Sequence, residues 1–158
     1  MAGRITKADE TLKPDPRYHS KVLSRFINCI MHDGKKSVAQ RLVYSALDEI
    51  ERRTEGNPAA IEVFEKAIDR VKPQVEVRSK RVGGANYQVP MQVKPKRKQS
   101  LAFRWIINAV RAERGKPTYM RLARELMDAS RGEGKAINTR EQTHRMAEAN
   151  KAFAHFAW

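Results

Sequence analysis

The sequence predicts a mainly α-helical single domain of six helices, with a protruding two-stranded antiparallel β-ribbon between the third and fourth helices. Three observations predict this fold class. Apolar residues recur at helical spacing over most of the chain, and after Pro73 the spacing changes to alternation. The pair Gly83 and Gly84 separates two alternating stretches, as a tight hairpin turn does. With 158 residues and 41% hydrophobic content, the chain can build one modest core.

The N-terminal stretch, residues 1–19, is predicted to form an extended arm because it is polar and contains Pro14 and Pro16. Ser20 then offers a hydroxyl group that can cap the first helix. The remainder, residues 20–158, is predicted to form a single domain, since it contains no internal repeat and no low-complexity tract.

Six stretches carry apolar residues at helical spacing, and glycine or proline follows most of them. The first is expected to continue until Gly34. The last is expected to begin with a capping box formed by Thr139 and Gln142. The predicted helices cover residues 20–33, 36–53, 58–71, 100–114, 119–131 and 139–158.

The ribbon is predicted at about residues 74–93, with its turn at Val82 to Ala85. Glycine adopts positive φ angles at little cost, which suits a tight turn. Pro90 suits an exposed strand edge. Because an isolated two-stranded ribbon is marginal in water, its base is expected to rest on the helices or on a partner.

Charge indicates the kind of partner. The chain carries 32 Lys and Arg against 18 Asp and Glu, for a net charge of +14. Residues 73–98 alone hold seven basic side chains and one acidic side chain. This excess predicts a polyanionic partner, first nucleic acid and second an anionic membrane surface. A soluble basic protein without a specific target is the alternative.

The sequence offers no catalytic or metal-binding constellation. "GKKS" at residues 34–37 lacks the glycine spacing of a phosphate-binding loop. The four histidines are scattered without ligand spacing. Cys29 is the only cysteine, so it can form no intrachain disulfide, and its apolar neighbours predict a buried core thiol. We therefore expect no enzyme activity, no metal and no cofactor.

No apolar run approaches the roughly 18 residues of a membrane span, and the N-terminus lacks the apolar core of a secretory signal. No membrane-spanning segment is therefore expected. The cytoplasm is the predicted compartment, with the interior of an organelle as the alternative.

Cationic side chains cluster on the ribbon and in the segments beside it. Arg104 and Arg111 lie seven residues apart, about two helical turns, and so extend the charge along the fourth helix. Lysine and arginine at this density neutralise phosphates and release counterions. The candidate nucleic-acid-binding residues are Lys35, Lys36, Arg78, Lys80, Arg81, the basic linker residues Lys94, Lys96, Arg97 and Lys98, and Arg104, Arg111 and Arg114.

Two aromatic residues are candidates for stacking on bases, Tyr87 on the ribbon and Trp105 on the fourth helix. Packing within the protein is the alternative for both. It is favoured for Trp105, which lies in the apolar stripe of its helix.

Five blocks carry a family resemblance: "MHDGKKSVA", "VEVRSKRVGGANYQVP", "LAFRWI", "RLARELMDA" and "HRMAEANKAFAHFAW". Together they resemble the bacterial type of small-subunit ribosomal protein seven, in the right order from Asp15 to Trp158. Before Pro14 the sequence departs from relatives that begin with a dense arginine cluster, since this arm offers only Arg4, Lys7 and Lys13.

The resemblance implies a structural ribosomal protein that binds the 3' major domain of small-subunit ribosomal RNA and organises the head of the subunit. It implies RNA contacts by the cationic residues above, together with Arg4 and Lys7 of the arm. Exit-site transfer RNA and messenger RNA, and the neighbouring small-subunit protein eleven, are the further partners it implies. The residues expected to face the exit site are Val82, Gly83, Gly84, Ala85, Tyr87, Lys151 and Trp158. Some relatives also repress their own messenger RNA.

Three other functions compete with this interpretation. An RNA chaperone or translational repressor outside the ribosome would use the same surface but would not stay with assembled subunits. A DNA-binding architectural protein with a ribbon arm would need a symmetric dimer seam, which is not evident. An enzyme would need the missing nucleophile, base or metal set.

Overall fold

The structure, a computed structural model, describes residues 11–157. It confirms the mainly helical fold with a β-ribbon between the third and fourth predicted helices. In chain order the elements are α1 Lys21–Ile30, α2 Lys36–Thr54, α3 Ala60–Val71, β1 Val75–Val82, β2 Ala85–Gln92, α4 Pro95–Ala112, α5 Thr118–Arg131, α6 Lys135–Ala149 and a 3-10 helix Lys151–Phe156.

The core lies between the helices, with α5 in contact with α2, α3, α4 and α6. Leu122 and Leu126 of α5 are fully buried there. Phe26 of α1 joins three helices, because its ring packs edge-to-face on Phe64 of α3 and Phe103 of α4 at centroid distances of 5.4 and 5.3 Å. Edge-to-face packing places the positive ring edge on the negative ring face, so these contacts add to the hydrophobic gain.

The predicted cap of α1 is confirmed, since the Ser20 hydroxyl accepts the Leu23 N–H at 3.3 Å. The helix ends at Ile30, earlier than predicted. Asp33 and Gly34 take the left-handed φ angles 50° and 72°, which form a turn and not a last helical turn.

Helix α4 begins at Pro95, so the prediction of a basic linker at Lys94 to Lys98 is wrong. Lys94 is the N-cap residue, and Lys96, Arg97 and Lys98 lie in the first turn of the helix. Proline is well suited to the first helical position, because its φ angle is already helical and its missing N–H would have no helical partner there.

Helix α6 begins at Lys135, so the prediction of a capping box at Thr139 is also wrong. The Thr139 hydroxyl donates to the Lys135 carbonyl within the helix at 2.9 Å. The group that satisfies the start of α6 is distant in sequence: Glu125 of α5 accepts the Ala136 N–H at 2.8 Å. Burial raises the pKa of this carboxyl, while the backbone N–H groups of Ala136 and Lys135 oppose the shift.

The final predicted helix is α-helical only as far as Ala149 and continues as the 3-10 helix. At the junction the Asn150 side-chain amide donates to the Met146 carbonyl at 2.8 Å. The chain then turns towards β2, which the 3-10 helix contacts.

The ribbon turns at Val82 to Ala85, as predicted, with two residues between the strands. Its register pairs Val75 with Gln92 at one end and Val82 with Ala85 at the other, and the intervening glycines have φ angles of 57° and 89°. Two consecutive positive φ angles are typical of the type I′ turn, whose twist matches that of paired strands. As expected, the ribbon rests on the helical domain, through α6 and the 3-10 helix.

Arginine side chains stabilise the carboxyl ends of several helices. Arg111 donates to the Ile30 carbonyl at the end of α1 at 3.3 Å. Arg121 donates to the Val110 carbonyl near the end of α4 at 2.9 Å, and Arg140 donates to the Arg70 carbonyl at the end of α3. These positions carry unpaired carbonyls and the negative end of the helix dipole, so part of the positive charge serves the fold.

The segment before α1 is fixed by Asp15, which is only 2% exposed. One carboxylate oxygen accepts the N–H groups of Arg17 and Tyr18, each at 3.0 Å. The other accepts the Tyr44 hydroxyl at 2.7 Å. This carboxylate therefore ties the start of the domain to α2.

Glu49 of α2 provides a test of pH dependence. It is buried, and Arg53 and Arg52 each donate to its carboxylate at 2.7 Å, which lowers its pKa. A lowered folded-state pKa contributes stability above the unfolded pKa, and that stability is lost as pH falls through the folded pKa. We expect Glu49→Gln to be less stable than the parent at pH 7 and the difference to shrink well below pH 4.5, the unperturbed value.

Urea unfolding at about pH 7 and pH 3 measures this effect, because the transition midpoint follows stability when the slope is unchanged. Glu65→Gln is the matched control, since Glu65 lies exposed on α3. A Glu49→Gln difference that stays constant across this pH range would contradict the assigned role.

The structure corrects the prediction for the single cysteine. Cys29 is exposed, so the prediction of a buried core thiol is wrong. It lies on the solvent side of α1, while Phe26, Ile27 and Ile30 face the core.

Among residues 11–157, no helix combines the length and apolar character that crossing a membrane requires.

Candidate nucleic-acid interface

Three arginines form a row along α4. Arg97, Arg104 and Arg111 follow one another at seven-residue intervals, and each interval drifts only about 20° around a straight helix. The row spans about 21 Å at 1.5 Å per residue. Because α4 starts earlier than predicted, Arg97 belongs to the same helix face as the two arginines that the sequence had paired.

The first arginine of the row meets the base of the ribbon. Glu76 of β1 forms ion pairs with Arg78 of the same strand and with Arg97 of α4. Lys98 donates to the Gln74 side-chain carbonyl from the same turn of α4. The positive charges of the ribbon and of α4 are therefore held next to each other.

The last arginine of the row reaches the end of α1. Arg104, Asn108 and Arg111 line a cavity of about 230 Å³ together with Cys29. Although the Cys29 side chain is exposed, partial desolvation of its thiol beside this cavity raises its pKa, and the positive charges of Arg25 and Arg104 partly oppose that shift. Arg25 was not among the predicted residues, and only its place four residues after Lys21 on one side of α1 could have indicated it.

Lys35 and Lys36 are exposed; Lys35 lies in the turn that follows α1, as predicted, and Lys36 is the first residue of α2. Lys35 is the N-cap residue of α2 and makes no side-chain cap. The turn is held by the backbone, with the Lys35 N–H donating to the His32 carbonyl at 3.0 Å. Since Arg111 binds the Ile30 carbonyl at the end of α1, the lysine pair extends the positive charge beyond the arginine row.

We define the cationic surface as the three segments that these contacts connect: the ribbon base, the arginine row and the turn after α1. Its residues are Arg25, Lys35, Lys36, Arg78, Lys94, Arg97, Arg104 and Arg111.

The ribbon separates its own charges. Successive side chains of a strand point to opposite faces, so Arg78 and Lys80 share one face and Arg81 lies on the other. Lys80 is engaged within the protein, where its ammonium group donates to the Phe156 carbonyl at 2.8 Å. Arg81 is exposed, and the register pairs it with Asn86 near the turn.

Tyr87 packs within the protein in this structure. Its ring lies 5.1 Å from the ring of Phe153 and 5.2 Å from that of Phe156. Trp105 is partly buried and packs against the core. Four of the other residues predicted to face the exit site, Val82 to Ala85, form the turn itself.

These aromatic contacts give a test of how the ribbon is held. We expect Phe153→Ala with Phe156→Ala to leave the helical core intact but to speed amide exchange at Lys80 and Tyr87 about tenfold or more, because local opening then costs less free energy. Hydrogen exchange measured by NMR checks this. Lys151→Ala is the control, since Lys151 is 78% exposed on the same 3-10 helix. Unchanged exchange in the double variant would show that the aromatic contacts do not hold the ribbon.

At the base, the ribbon is held by a histidine. His144 of α6 accepts the Gln74 N–H through Nε2 at 3.1 Å. Burial lowers the pKa of His144, and the charge of Arg140 lowers it further. Both effects favour the neutral ring, which this hydrogen bond requires.

The remaining predicted residues are not members of the cationic surface as defined, or lie outside the described residues. Arg114 is exposed just beyond the end of α4, and Lys96 is exposed in its first turn. Lys151 lies 3.9 Å from Glu148. Arg4 and Lys7 of the arm, and Trp158, lie outside the described residues.

Within residues 11–157, no group of His, Cys, Asp and Glu side chains is placed to hold a metal ion. The fold and the cationic surface together are typical of a structural nucleic-acid-binding protein, in which charge is presented on rigid helices and a supported ribbon.

Comparison with known proteins gives the family. A sequence model of the family Ribosomal protein S7p/S5e matches residues 2–151. The small ribosomal subunit protein uS7 of Rhodopirellula baltica is 60% identical over 156 residues, 99% of each chain. That of Salinibacter ruber is 58% identical with the same coverage, and that of Magnetococcus marinus is 55% identical over the full length of both chains. The chain belongs to the S7p/S5e family of ribosomal proteins.

Family membership confirms the resemblance found in the sequence and decides between the classes of function. The chain is a structural ribosomal protein and not an enzyme. RNA binding in translation follows from that class, so the DNA-binding alternative is no longer needed.

Proposed function

We propose that the chain is a constituent of the small ribosomal subunit that binds the 3' major domain of small-subunit ribosomal RNA and organises the head of the subunit. The observation that carries this proposal is the cationic surface, which runs from the ribbon base along α4 to the turn after α1. Relatives of 55–60% identity are named as small-subunit proteins, which supports placing that surface on ribosomal RNA.

The cationic surface suits recognition of RNA shape. Arginine and lysine bind phosphates and so fix position and orientation, while they carry little sequence information. In double-stranded RNA the deep, narrow major groove is closed to side chains, so recognition rests mostly on helix shape and on contacts to phosphates and 2′-hydroxyl groups. A row of about 21 Å on a rigid helix can contact several phosphates without ordering a loop.

The ribbon tip has a different role in this proposal. The tip, formed by Val82, Gly83, Gly84 and Ala85, would approach exit-site transfer RNA and messenger RNA. Small-subunit protein eleven would be the neighbouring protein on the other side of the exit site. Tyr87 would support the tip from within the ribbon, and Lys151 and Trp158 would be further residues that face the exit site. Repression of the protein's own message would use the same cationic surface, because a messenger RNA that mimics the ribosomal site presents the same phosphates.

A binding experiment tests the proposal. The purified chain is titrated with the 3' major domain, an unrelated structured RNA of equal length and a DNA duplex, each at several salt concentrations. We expect a preference for the ribosomal domain that persists at about 200 mM salt, where contacts that rest only on counterion release weaken strongly. Equal and steeply salt-dependent binding to all three would reject a defined ribosomal RNA site.

A further inference from the structure

The most unusual charge at the ribbon base is a negative one. Glu76 is the only acidic residue among residues 73–98, and it is only 8% exposed. One carboxylate oxygen contacts Nε and Nη2 of Arg78 at 2.8 and 2.5 Å. The other oxygen contacts Nε and Nη2 of Arg97, each at 3.1 Å. A single buried carboxylate thus joins an arginine of the ribbon to an arginine of α4.

Each guanidinium contacts Glu76 through its Nε and Nη2 atoms, which leaves its Nη1 edge available for other hydrogen bonds. Arginine has five N–H donors in a planar fork, and Nη1 of Arg78 and of Arg97 has no hydrogen-bond partner among residues 11–157. The two side chains are 45% and 38% exposed. Their donors are therefore fixed by the protein and open to solvent at the same time.

A cavity of about 330 Å³ lies at this point, and both arginines and Lys94 line it. Glu76 contributes one negative charge to the lining against three positive charges, so the lining as a whole attracts anions. The start of α4 lies beside it, with Lys94 as N-cap and no acidic residue in the first turn, which adds the positive end of the helix dipole.

We propose that Glu76 positions Arg78 and Arg97 as a clamp for one phosphate group of the RNA backbone. This rests on the proposed RNA-binding function and names a site within it. Two guanidiniums held at fixed positions bind a phosphate with paired, charge-assisted hydrogen bonds. The carboxylate orders both side chains before RNA arrives, which removes the entropy cost of ordering them on binding.

The direction in which one substitution changes RNA affinity distinguishes a positioning role of Glu76 from a purely electrostatic one. Glu76→Gln makes the protein more positive by one charge, so a role for charge alone predicts tighter RNA binding. Positioning predicts the opposite, about a tenfold loss of affinity, because the arginines lose their charged anchor. Glu133→Gln is the matched control. It makes the same charge change at an exposed residue of the α5–α6 turn, and it is expected to bind as tightly as the parent or slightly tighter.

Arg78→Lys and Arg97→Lys form the second arm of the experiment, since each keeps the charge and removes the planar fork. We expect either variant to weaken binding to the 3' major domain about as much as Glu76→Gln. Titration with inorganic phosphate, followed by the NMR signals of the arginine Nε–H groups, is expected to shift Arg78 and Arg97 together in the parent and neither in Glu76→Gln.

The outcomes distinguish this proposal from the broader one. If the parent prefers the 3' major domain while Glu76→Gln binds as Glu133→Gln does, the clamp is rejected and the RNA-binding function stands. If the parent shows no preference among the nucleic acids, the proposed function itself fails. Should Glu76→Gln unfold, the arginine variants decide, and full affinity in both would overturn the clamp.

Discussion

Replacing Phe26 with alanine is expected to lower the free energy of unfolding by about 3–5 kcal/mol. The side chain is fully buried, and its ring contacts both Phe64 and Phe103. The substitution removes apolar contact from three helices at once and leaves a cavity that rigid helices fill only partly. For a domain whose total stability is of the order of 5–15 kcal/mol, this is a large fraction.

Urea unfolding followed by circular dichroism measures the loss. Val38→Ala is the control on α2, because Val38 is 57% exposed, and its effect is expected to stay within about 0.5 kcal/mol. A Phe26→Ala variant that matched the control would mean that the three-helix junction is not the centre of the core.

Replacing Lys35 and Lys36 with alanine is expected to weaken binding to the 3' major domain about tenfold at moderate salt. The slope of log affinity against log salt concentration is expected to become shallower by about one to two units, because one or two fewer counterions are released on binding. Both lysines are exposed where the turn after α1 meets α2, and the cationic surface ends there. Their loss should leave stability almost unchanged, since exposed side chains contribute little to folding.

The slope of log affinity against log salt measures this effect directly. Lys66→Ala with Lys116→Ala is the matched control, because both lysines are exposed and lie outside the cationic surface. Equal salt slopes in the two double variants would mean that the turn after α1 does not contact phosphate.

Local patterns in the sequence predicted most of the fold. The change from helical spacing to alternation after Pro73 identified the ribbon, and the two glycines identified its turn to the residue. The hydroxyl of Ser20 correctly marked the start of α1. These features succeed because each depends on neighbours within a few residues, which the sequence displays directly.

The errors arose where distant residues decide. The start of α6 is fixed by Glu125 from another helix, which no local capping pattern reveals. The start of α4 was missed because a run of lysines resembles a solvated linker, although Pro95 permits a helix there.

In the candidate site, too, local patterns predicted some residues, while the residues whose role depends on distant partners were missed. Clustering of lysine and arginine predicted which segments carry the charge, and the structure joins three of them into the cationic surface. Glu76 went unnoticed because an isolated acidic residue in a basic stretch has no meaning until its two partners are known. Tyr87 could not be assigned from sequence, since its packing partners lie in the 3-10 helix.

The glycines at the ribbon tip are constrained by handedness and not by room. A Cβ atom built on either Gly83 or Gly84 meets no atom within 4 Å among residues 11–157, yet both have φ angles that L-residues rarely adopt. A D-residue favours these angles, so a semisynthetic chain with D-alanine there should keep the turn and lose the conformational freedom of glycine in the unfolded state. Mirror-image chemistry therefore makes the tip a suitable point for attaching a crosslinker or dye without disturbing the ribbon.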